Sequence, residues 1–322
     1  MNVVPLAADS LGVRSVATYV ECGETRLLID PGASLGRNRF NLPPADEEWD
    51  ALKRANDRIS GYAARASIVC VSHYHEDHFR YEPGLYRDKS VLAKDPKRML
   101  GAAQAERASG LWKGIAAIAR LDAAEGRRLE TLDTVLTASP PLAHGPDGTS
   151  LGYVVAFTVT DRRTGFRFVH ASDVQGPVSA VATAYLIRER PHLLYLSGPP
   201  GYLEREIGSA VIDQGIANLE RILEATGCRV IMDHYALRDV RYPERFRRLW
   251  ESGRVVTAAG FLGLADSALE SARRALWSAR RKPPARIPPA SVAAGRGLKS
   301  PAGSAIIDSS RQHRRPKEGT GQ

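Results

Sequence analysis

Residues 72–79 read Ser-His-Tyr-His-Glu-Asp-His-Phe, and three of the chain's eight histidines fall within six residues as His73-x-His75-x-Asp77-His78. Imidazole and carboxylate are the donors that suit zinc and its first-row neighbours. The preceding run, Ala-Ser-Ile-Val-Cys-Val at 66–71, is apolar and of strand length, so the motif starts where a buried strand should end. In extended backbone, residues i and i+2 share a side. His73 and His75 then reach one metal ion, while Asp77 and His78 point elsewhere and reach a second. A hydrophilic turn that collected its histidines by accident is the plain alternative. In a chain with so few histidines that coincidence is strained, and the stretch reads as a metal site.

The elements around it alternate between strand and helix patterns. Segments 16–20 and 25–29 are apolar strands joined as a hairpin by Cys22-Gly23-Glu24. Asp30-Pro31-Gly32 ends the second, and Asp30 taken alone is an ordinary turn residue before proline. The loop 33–44 follows, where Arg37 and Arg39 meet either solvent or an anionic substrate. The pattern at 45–65 is helical, with Asp46, Glu47 and Glu48 at its electropositive start. Beyond the motif, 80–90 is a loop and helices are expected at 95–109 and 114–125. A strand at 132–137 is stopped by Pro140-Pro141, which hold the chain extended just before His144. Strands 153–160 and 166–171 flank the turn 161–165, and the second carries His170 and leads to Asp173. A helix at 178–189, a strand at 193–196 and a helix at 204–226 come next. The strand 229–232 leads to Asp233 and His234, and segment 255–256 and a helix at 265–281 close the folded part.

The pattern H-x-H-x-D-H after a strand resembles the signature of the metallo-β-lactamase-fold hydrolases. The resemblance covers about residues 1–280 and implies four further positions at strand ends. Asp30, His144, Asp173 and His234 occur in the order it requires. It implies an α/β protein built as an αββα sandwich, two mixed sheets face to face with helices outside and the site at one edge. In that fold His73, His75 and His144 hold one metal, Asp77, His78 and His234 hold a second, and Asp173 bridges. Asp30 is implied as a hydrogen-bond partner behind the metal loop, and His234 is implied as the ligand in preference to Asp233. More narrowly, Asp-Pro-Gly at 30–32, Ser-His-Tyr-His at 72–75, Ala-Ser-Asp-Val-Gln-Gly-Pro at 171–177 and Ser-Gly-Pro-Pro at 197–200 resemble an archaeal branch of the same superfamily. That likeness carries a fold and a metal centre, not a substrate.

The chemistry so implied is hydrolysis. Two divalent cations, zinc first and manganese or iron as alternatives, share a water and lower its pKa, and the resulting hydroxide attacks a carbonyl or phosphoryl centre. Asp173, Asp77 and His170 are the expected catalytic side chains. Asp173 orients the nucleophile, Asp77 completes the second metal, and His170 is either a hydrogen-bond partner of the ligands or a core histidine. Two doubly charged ions against two carboxylates and a hydroxide leave positive charge, which favours a phosphodiester or nucleotide-like substrate over a thioester or lactone. Oxygen-reducing di-iron enzymes of this fold put Glu where His75 stands and work with a flavin domain, and neither feature is present here. An RNA-binding protein with a structural zinc is the remaining rival. Such a site closes with four ligands, fewer than are available here.

Composition bounds the rest. With 43% hydrophobic residues in 322, the chain can bury a sizeable core. No apolar run approaches the roughly 18 residues a membrane span needs. The start, Met1 to Pro5, lacks a basic segment and an apolar stretch, so the expected location is the cytoplasm. Cys22, Cys70 and Cys228 are odd in number and far apart, as befits reduced, buried thiols. Of the nine net positive charges, seven fall in residues 281–322. From Pro283, proline and glycine break any periodicity. The expected division is therefore a hydrolase domain at 1–282 and a disordered basic tail at 283–322. The expected partners are a small-molecule or nucleotide substrate, with nucleic acid reached through the tail and no membrane.

Overall fold

The computed structural model describes residues Met1–Ala279, so the tail expected at 283–322 lies outside the described residues. The first sheet holds β1 (Asn2–Pro5), β2 (Thr18–Cys22), β3 (Thr25–Ile29), β4 (Ile68–Val71), β5 (Ser90–Ala93) and β6 (Arg120–Ala123), side by side in that order. β1 to β3 run antiparallel, and β3 to β6 run parallel. The second sheet begins with β7 (Arg128–Glu130) and β8 (Thr134–Ala138). A separate short pair, β9 (Leu142–Ala143) with β10 (Tyr153–Val154), precedes β11 (Phe157–Asp161), β12 (Arg167–Ser172), β13 (Leu193–Ser197), β14 (Arg229–Asp233) and β15 (Val255–Val256). Across this sheet the order is β15-β14-β13-β12-β11-β8-β7, parallel from β12 to β15 and antiparallel elsewhere.

The twofold period of the strands decides the layers. Ile68 and Cys70 of β4 face the second sheet and share a core with Leu27, Phe157, Phe168 and Ile231. Val69 and Val71 face the other way, under α1 (Asp46–Ala63) and α2 (Ala102–Ile115) with Ile59 and Leu111. On the second sheet Leu194 and Leu196 pack outward against α3 (Ala180–Glu189) and the helix Ser209–Thr226, with Leu186, Leu219 and Ile222. Strands covered on both faces read as continuous apolar runs, which is why 66–71 was visible in the sequence. All three cysteines are free and buried, and burial between the sheets pushes the Cys70 thiol well up.

Several expected elements are corrected. The helix expected at 95–109 begins at Ala102 and runs on to Ile115, and the second, at 114–125, does not form. Arg120-Leu121-Asp122-Ala123 instead adds β6 to the open edge of β5, with Leu121 opposite Val91. Its polar–apolar alternation suits an edge strand, and the ladder outweighs the helical propensity of nearby alanines. Segment 153–160 is two strands, because Tyr153 and Val154 pair with β9 while Phe157 onward pairs with β8 and β12. The helix expected at 204–226 is cut into α4 (Glu204–Ile207) and α5 (Ser209–Thr226) by Gly208, whose φ of 86° side chains avoid.

After β14 come α6 (Tyr242–Arg245), α7 (Arg247–Glu251), α8 (Ala258–Phe261) and α9 (Leu269–Ser278). α9 returns to the first sheet's helical layer. Arg273 donates to both oxygens of Glu48 on α1 at 2.7 and 2.8 Å, both residues fully buried. Arg14 does the same to Glu270 at 2.6 Å twice, tying α9 to the loop after the short helix Asp9–Leu11. No helix among the described residues is long and apolar enough to cross a membrane.

Candidate metal centre

β3, β4, β12 and β14 end on Ile29, Val71, Ser172 and Asp233, and the chemistry-bearing residues follow at once. Asp30, Ser172 and His234 have φ of 49°, 44° and 60°. Non-glycine residues held in that region cost on the order of 1–3 kcal/mol each and persist only where the surroundings enforce them. The reversals turn the side chains back over the strand ends. Asp30 accepts from the Ser72 amide at 2.7 Å, from the Ser72 hydroxyl at 2.6 Å and from the Ser172 hydroxyl at 3.1 Å. Its Oδ2 lies 3.0 Å from His78 Nδ1. A Cβ on Gly32 would stand 2.2 Å from the Phe79 nitrogen and 2.6 Å from the His78 carbonyl carbon, so only glycine lets the Asp-Pro-Gly turn lie against the motif.

The motif itself is not extended, which corrects the reason given for its two-way split. The His78 amide donates to the His75 carbonyl at 2.9 Å, closing a turn that swings Asp77 and His78 round to the other side. Two groups of donor atoms result, His73–His75–His144–Asp173 and Asp77–His78–His234, with the atoms of each lying within 4.8 Å of one another. Asp173 stands between them. Its Oδ2 is 3.4 Å from His73 Nε2, 3.1 Å from His144 Nε2 and 3.3 Å from His78 Nε2, and its Oδ1 is 3.5 Å from His234 Nε2. Asp77 completes the second group at 3.5 Å from His234 Nε2 and 3.8 Å from His78 Nε2. All seven expected ligand residues are thus brought together.

The electrostatics suit cations. Burial, followed by the neighbouring His78, pulls His73 down to about 4, so its lone pair is free at neutral pH. His75 is held well below the usual histidine range by burial and by His73 and His144. Burial opposes charge on His78, but Asp173 and Asp77 outweigh it and hold its pKa well above the usual value. Surroundings that favour a proton on that imidazole favour a metal cation in its place. Burial likewise opposes charge on Asp173, and His78, His234 and the hydrogen bonds from His144 and His73 keep it ionised. Asp173 Oδ1 and His78 Nε2 are buried without a hydrogen-bond partner. Buried polar atoms are nearly always partnered, so two unpaired donor atoms in a nest of imidazoles and carboxylates fit a pair of first-row divalent cations.

Supporting residues fix the rings. His234 Nδ1 lies 2.7 Å from Asp9 Oδ2, and Asp9 Oδ1 accepts from Arg238 Nε at 2.9 Å. A carboxylate behind a ligating histidine holds the proton on the far nitrogen and raises the basicity of the near one. Asp9, 225 residues from His234, left no local signal in the sequence. Asp233 is turned away from the centre. It accepts from the amides of Ser10, His234 and Ala258, and burial and Asp9 push it up to about 6. His170 is not brought into the cluster. It faces the layer between the sheets, where its Nε2 donates to the Val16 carbonyl at 3.0 Å and its edge meets Tyr195.

The arginines divide. Arg238 is buried, and besides Asp9 its Nη2 lies 3.3 Å from Asp77 Oδ2 and 3.1 Å from His234 Nε2. Arg80 is bound to Asn56 and Ser60 of α1. Arg39 lies between the rings of Phe40 and Tyr202, 4.6 and 4.8 Å from their centroids. Arg37 and Arg107 each stand 3.8 Å from Glu76, inside the motif. Tyr235 was missed by the sequence reading although it follows His234 directly, and its hydroxyl donates to Asp173 Oδ2 at 3.0 Å.

Two mixed sheets face to face, helices on both outer faces and a His-x-His-x-Asp-His loop at the strand ends between them define the metallo-β-lactamase fold. Within it, the chain belongs to the UPF0282 family. It is 40% identical over 289 residues to the UPF0282 protein of Methanopyrus kandleri, covering 85% of this chain and 98% of that one. To the UPF0282 protein of Thermococcus gammatolerans it is 40% identical over 303 residues, covering 89% and 99%. No family model matches the chain. Among solved structures it is similar to the short form of human tRNase Z, at 14% identity and a TM-score of 0.46 over 73% of this chain and 92% of that one. It is also similar to zinc-bound PqqB from Methylobacterium extorquens, at 11% identity and a TM-score of 0.47 over 80% and 97%.

Proposed function

We propose that this chain is a metal-dependent hydrolase of ester-type bonds whose centre takes two divalent cations. His73, His75 and His144 would hold one and Asp77, His78 and His234 the other, with Asp173 between them. Zinc is the first choice for such donors, and manganese and iron are the alternatives. Bound there, the two cations would supply Lewis acidity towards a carbonyl or phosphoryl oxygen and a water acidic enough to serve as nucleophile near neutral pH.

The observation that carries this reading is Asp173, a fully buried carboxylate that contacts imidazoles of both groups while its Oδ1 makes no hydrogen bond. The chain's own residues prepare the donors. Asp30 keeps a proton on His78 Nδ1 and Asp9 keeps one on His234 Nδ1, so Nε2 is the nitrogen of each ring that a cation would take. Arg238 balances Asp9 and Asp77, its Nη2 lying 3.3 Å from Asp77 Oδ2 and 3.1 Å from His234 Nε2. Within the class, we assign a phosphodiester or nucleotide-like substrate ahead of a thioester or lactone. Arg37 and Arg107 flank the motif with Glu76 as the acid between them, which favours an anionic group.

Elemental analysis of protein purified without chelators and reconstituted with zinc, manganese or iron is expected to give two ions per chain. A value that stays at one overturns the two-ion reading. Asp173→Ala is expected to lose turnover and metal together while keeping the wild-type far-ultraviolet spectrum. Retention of both activity and metal would remove Asp173 from the centre. Hydrolysis of bis(p-nitrophenyl) phosphate, p-nitrophenyl acetate and a thioester by the loaded protein decides the substrate class.

A further inference from the structure

We propose that the hydroxyl of Tyr235 is a further catalytic group of this centre, a hydrogen-bond donor to the oxygen on which negative charge builds during hydrolysis. The inference rests on the hydrolase reading above and adds to it a residue outside the metal-ligand pattern.

Tyr235 sits in the short helix His234–Arg238, directly after β14. Its hydroxyl has two polar neighbours, Asp173 Oδ2 at 3.0 Å and His144 Nε2 at 3.4 Å. Both atoms belong to the donor set assigned to the metals. An imidazole nitrogen that gives its lone pair to a cation cannot accept the phenol proton, and Asp173 is shared by both groups. The hydroxyl now donates to Asp173 Oδ2 at 3.0 Å, and a cation taking that oxygen would leave the phenol proton available to an oxygen of the substrate brought to the same place.

Other donors beside the ligands have partners of their own. The Ser72 and Ser172 hydroxyls serve Asp30, Arg238 reaches Asp9, Asp77 and His234, the Gln104 amide donates to the Leu151 carbonyl, and the Gln175 amide lies against His144 Nδ1. The Tyr235 ring is also held in place. Tyr202 stacks on it at 6.3 Å and 22°, the Arg238 guanidinium lies 4.6 Å over it, and His234 packs at 4.7 Å. A donor fixed before the reaction stabilises developing charge without reorganising.

Tyr235 keeps its proton throughout. The oxygen of water forms the new bond to the carbonyl or phosphoryl centre, and the bond to the leaving oxygen breaks. The proton lost by water ends on that leaving oxygen.

The test is the full chain carrying Tyr235→Phe, loaded with zinc beside the wild type, with metal content, melting temperature, kinetics and inorganic phosphate binding measured on both. Unchanged metal content and melting temperature are expected, with kcat lower by about 100- to 1,000-fold, the usual effect of removing one such donor. KM should be little changed, since the donor acts on charge that develops after binding. Phosphate, which places anionic oxygens at the same position, should bind about tenfold more weakly by titration calorimetry. Rates within twofold of wild type overturn the proposal, and so does a metal loss that tracks the rate, because Tyr235 would then only position Asp173. A wild type that hydrolyses nothing refutes the hydrolase reading by itself. The phosphate titration still decides Tyr235 in that case, equal affinity in the two proteins overturning its role as a donor.

Discussion

Asp30 touches no assigned metal position, yet it connects three parts of the centre. It takes the amide and hydroxyl of Ser72 at the end of β4, the hydroxyl of Ser172 at the end of β12, and the Nδ1 side of His78. Burial opposes its charge, but the hydrogen bond from His78 and the charge behind it outweigh that and hold its pKa below the usual range. Asp30→Asn keeps the shape and removes the charge that fixes the His78 proton. Its zinc affinity, measured by competition with a chromophoric chelator, is expected to fall about 10- to 100-fold. His170→Gln is the matched contrast. The His170 hydrogen bond goes to the Val16 carbonyl, so zinc affinity there should stay at the wild-type value. If the two variants bind zinc equally, Asp30 does not orient the ligand.

At the scale of elements, α9 does for the loop 9–14 what Asp30 does for the motif. The short helix at its start carries Asp9, the partner of His234 and Arg238, and α9 clamps the loop after it through Arg14–Glu270 while gripping α1 through Arg273–Glu48. Removing one member of a buried pair leaves the other charge uncompensated. Glu48→Ala is therefore expected to lower unfolding free energy by about 3–5 kcal/mol in urea titrations, and a loss below 1 kcal/mol would contradict the buried pair. The Glu270 pair adds an acid dependence. Burial opposes the Glu270 charge, but Arg14 outweighs it and brings the carboxyl from 4.5 down to about 2. A carboxyl depressed in the folded state contributes stability that is complete above its unfolded pKa and is lost as pH falls through the folded one. The window is pH 4.5 to about 2, and the contribution is about 3 kcal/mol. Glu270→Gln should flatten the stability-versus-pH curve in that window and leave a parallel, lower plateau above it.

For the molecule as a whole, the two sheets place their parallel strand ends together, and every assigned ligand lies on a segment leaving one of those ends or the adjoining β9. The three apolar cores and the seven proposed ligands all lie among the described residues, 1–279. We propose on that ground that residues 1–282 form the hydrolase unit. A chain ending at Lys282 is expected to keep its melting temperature, its two ions and its kcat on a small chromogenic ester. Loss of that hydrolysis would place residues beyond 282 in the active centre. The same truncation removes most of the net positive charge. Any non-specific RNA binding should then weaken and lose salt dependence, by about 0.9 in the log–log slope for each phosphate contact removed.

What the sequence determined by itself was local. A strand buried on both faces writes itself as an apolar run, so β4 and the metal loop behind it were legible in a dozen residues, and hairpin turns placed β2–β3 and β11–β12. His73, His75, Asp77 and His78 were visible for the same reason, while His144, Asp173 and His234 needed the family's order of strand ends. Helix propensity misled at 114–125, because an unpaired edge on β5 is a property of the sheet and not of that segment. Long-range partners left no trace along the chain. Asp9 meets His234, Arg273 meets Glu48, and Tyr235 turns its hydroxyl to Asp173 only once both sheets have closed. Spacing along a chain fixes which residues can share a strand or a turn. Which carboxylate stands behind which imidazole is set by strand register and by backbone reversals at Asp30, Ser172 and His234, and these exist only in the packed tertiary structure.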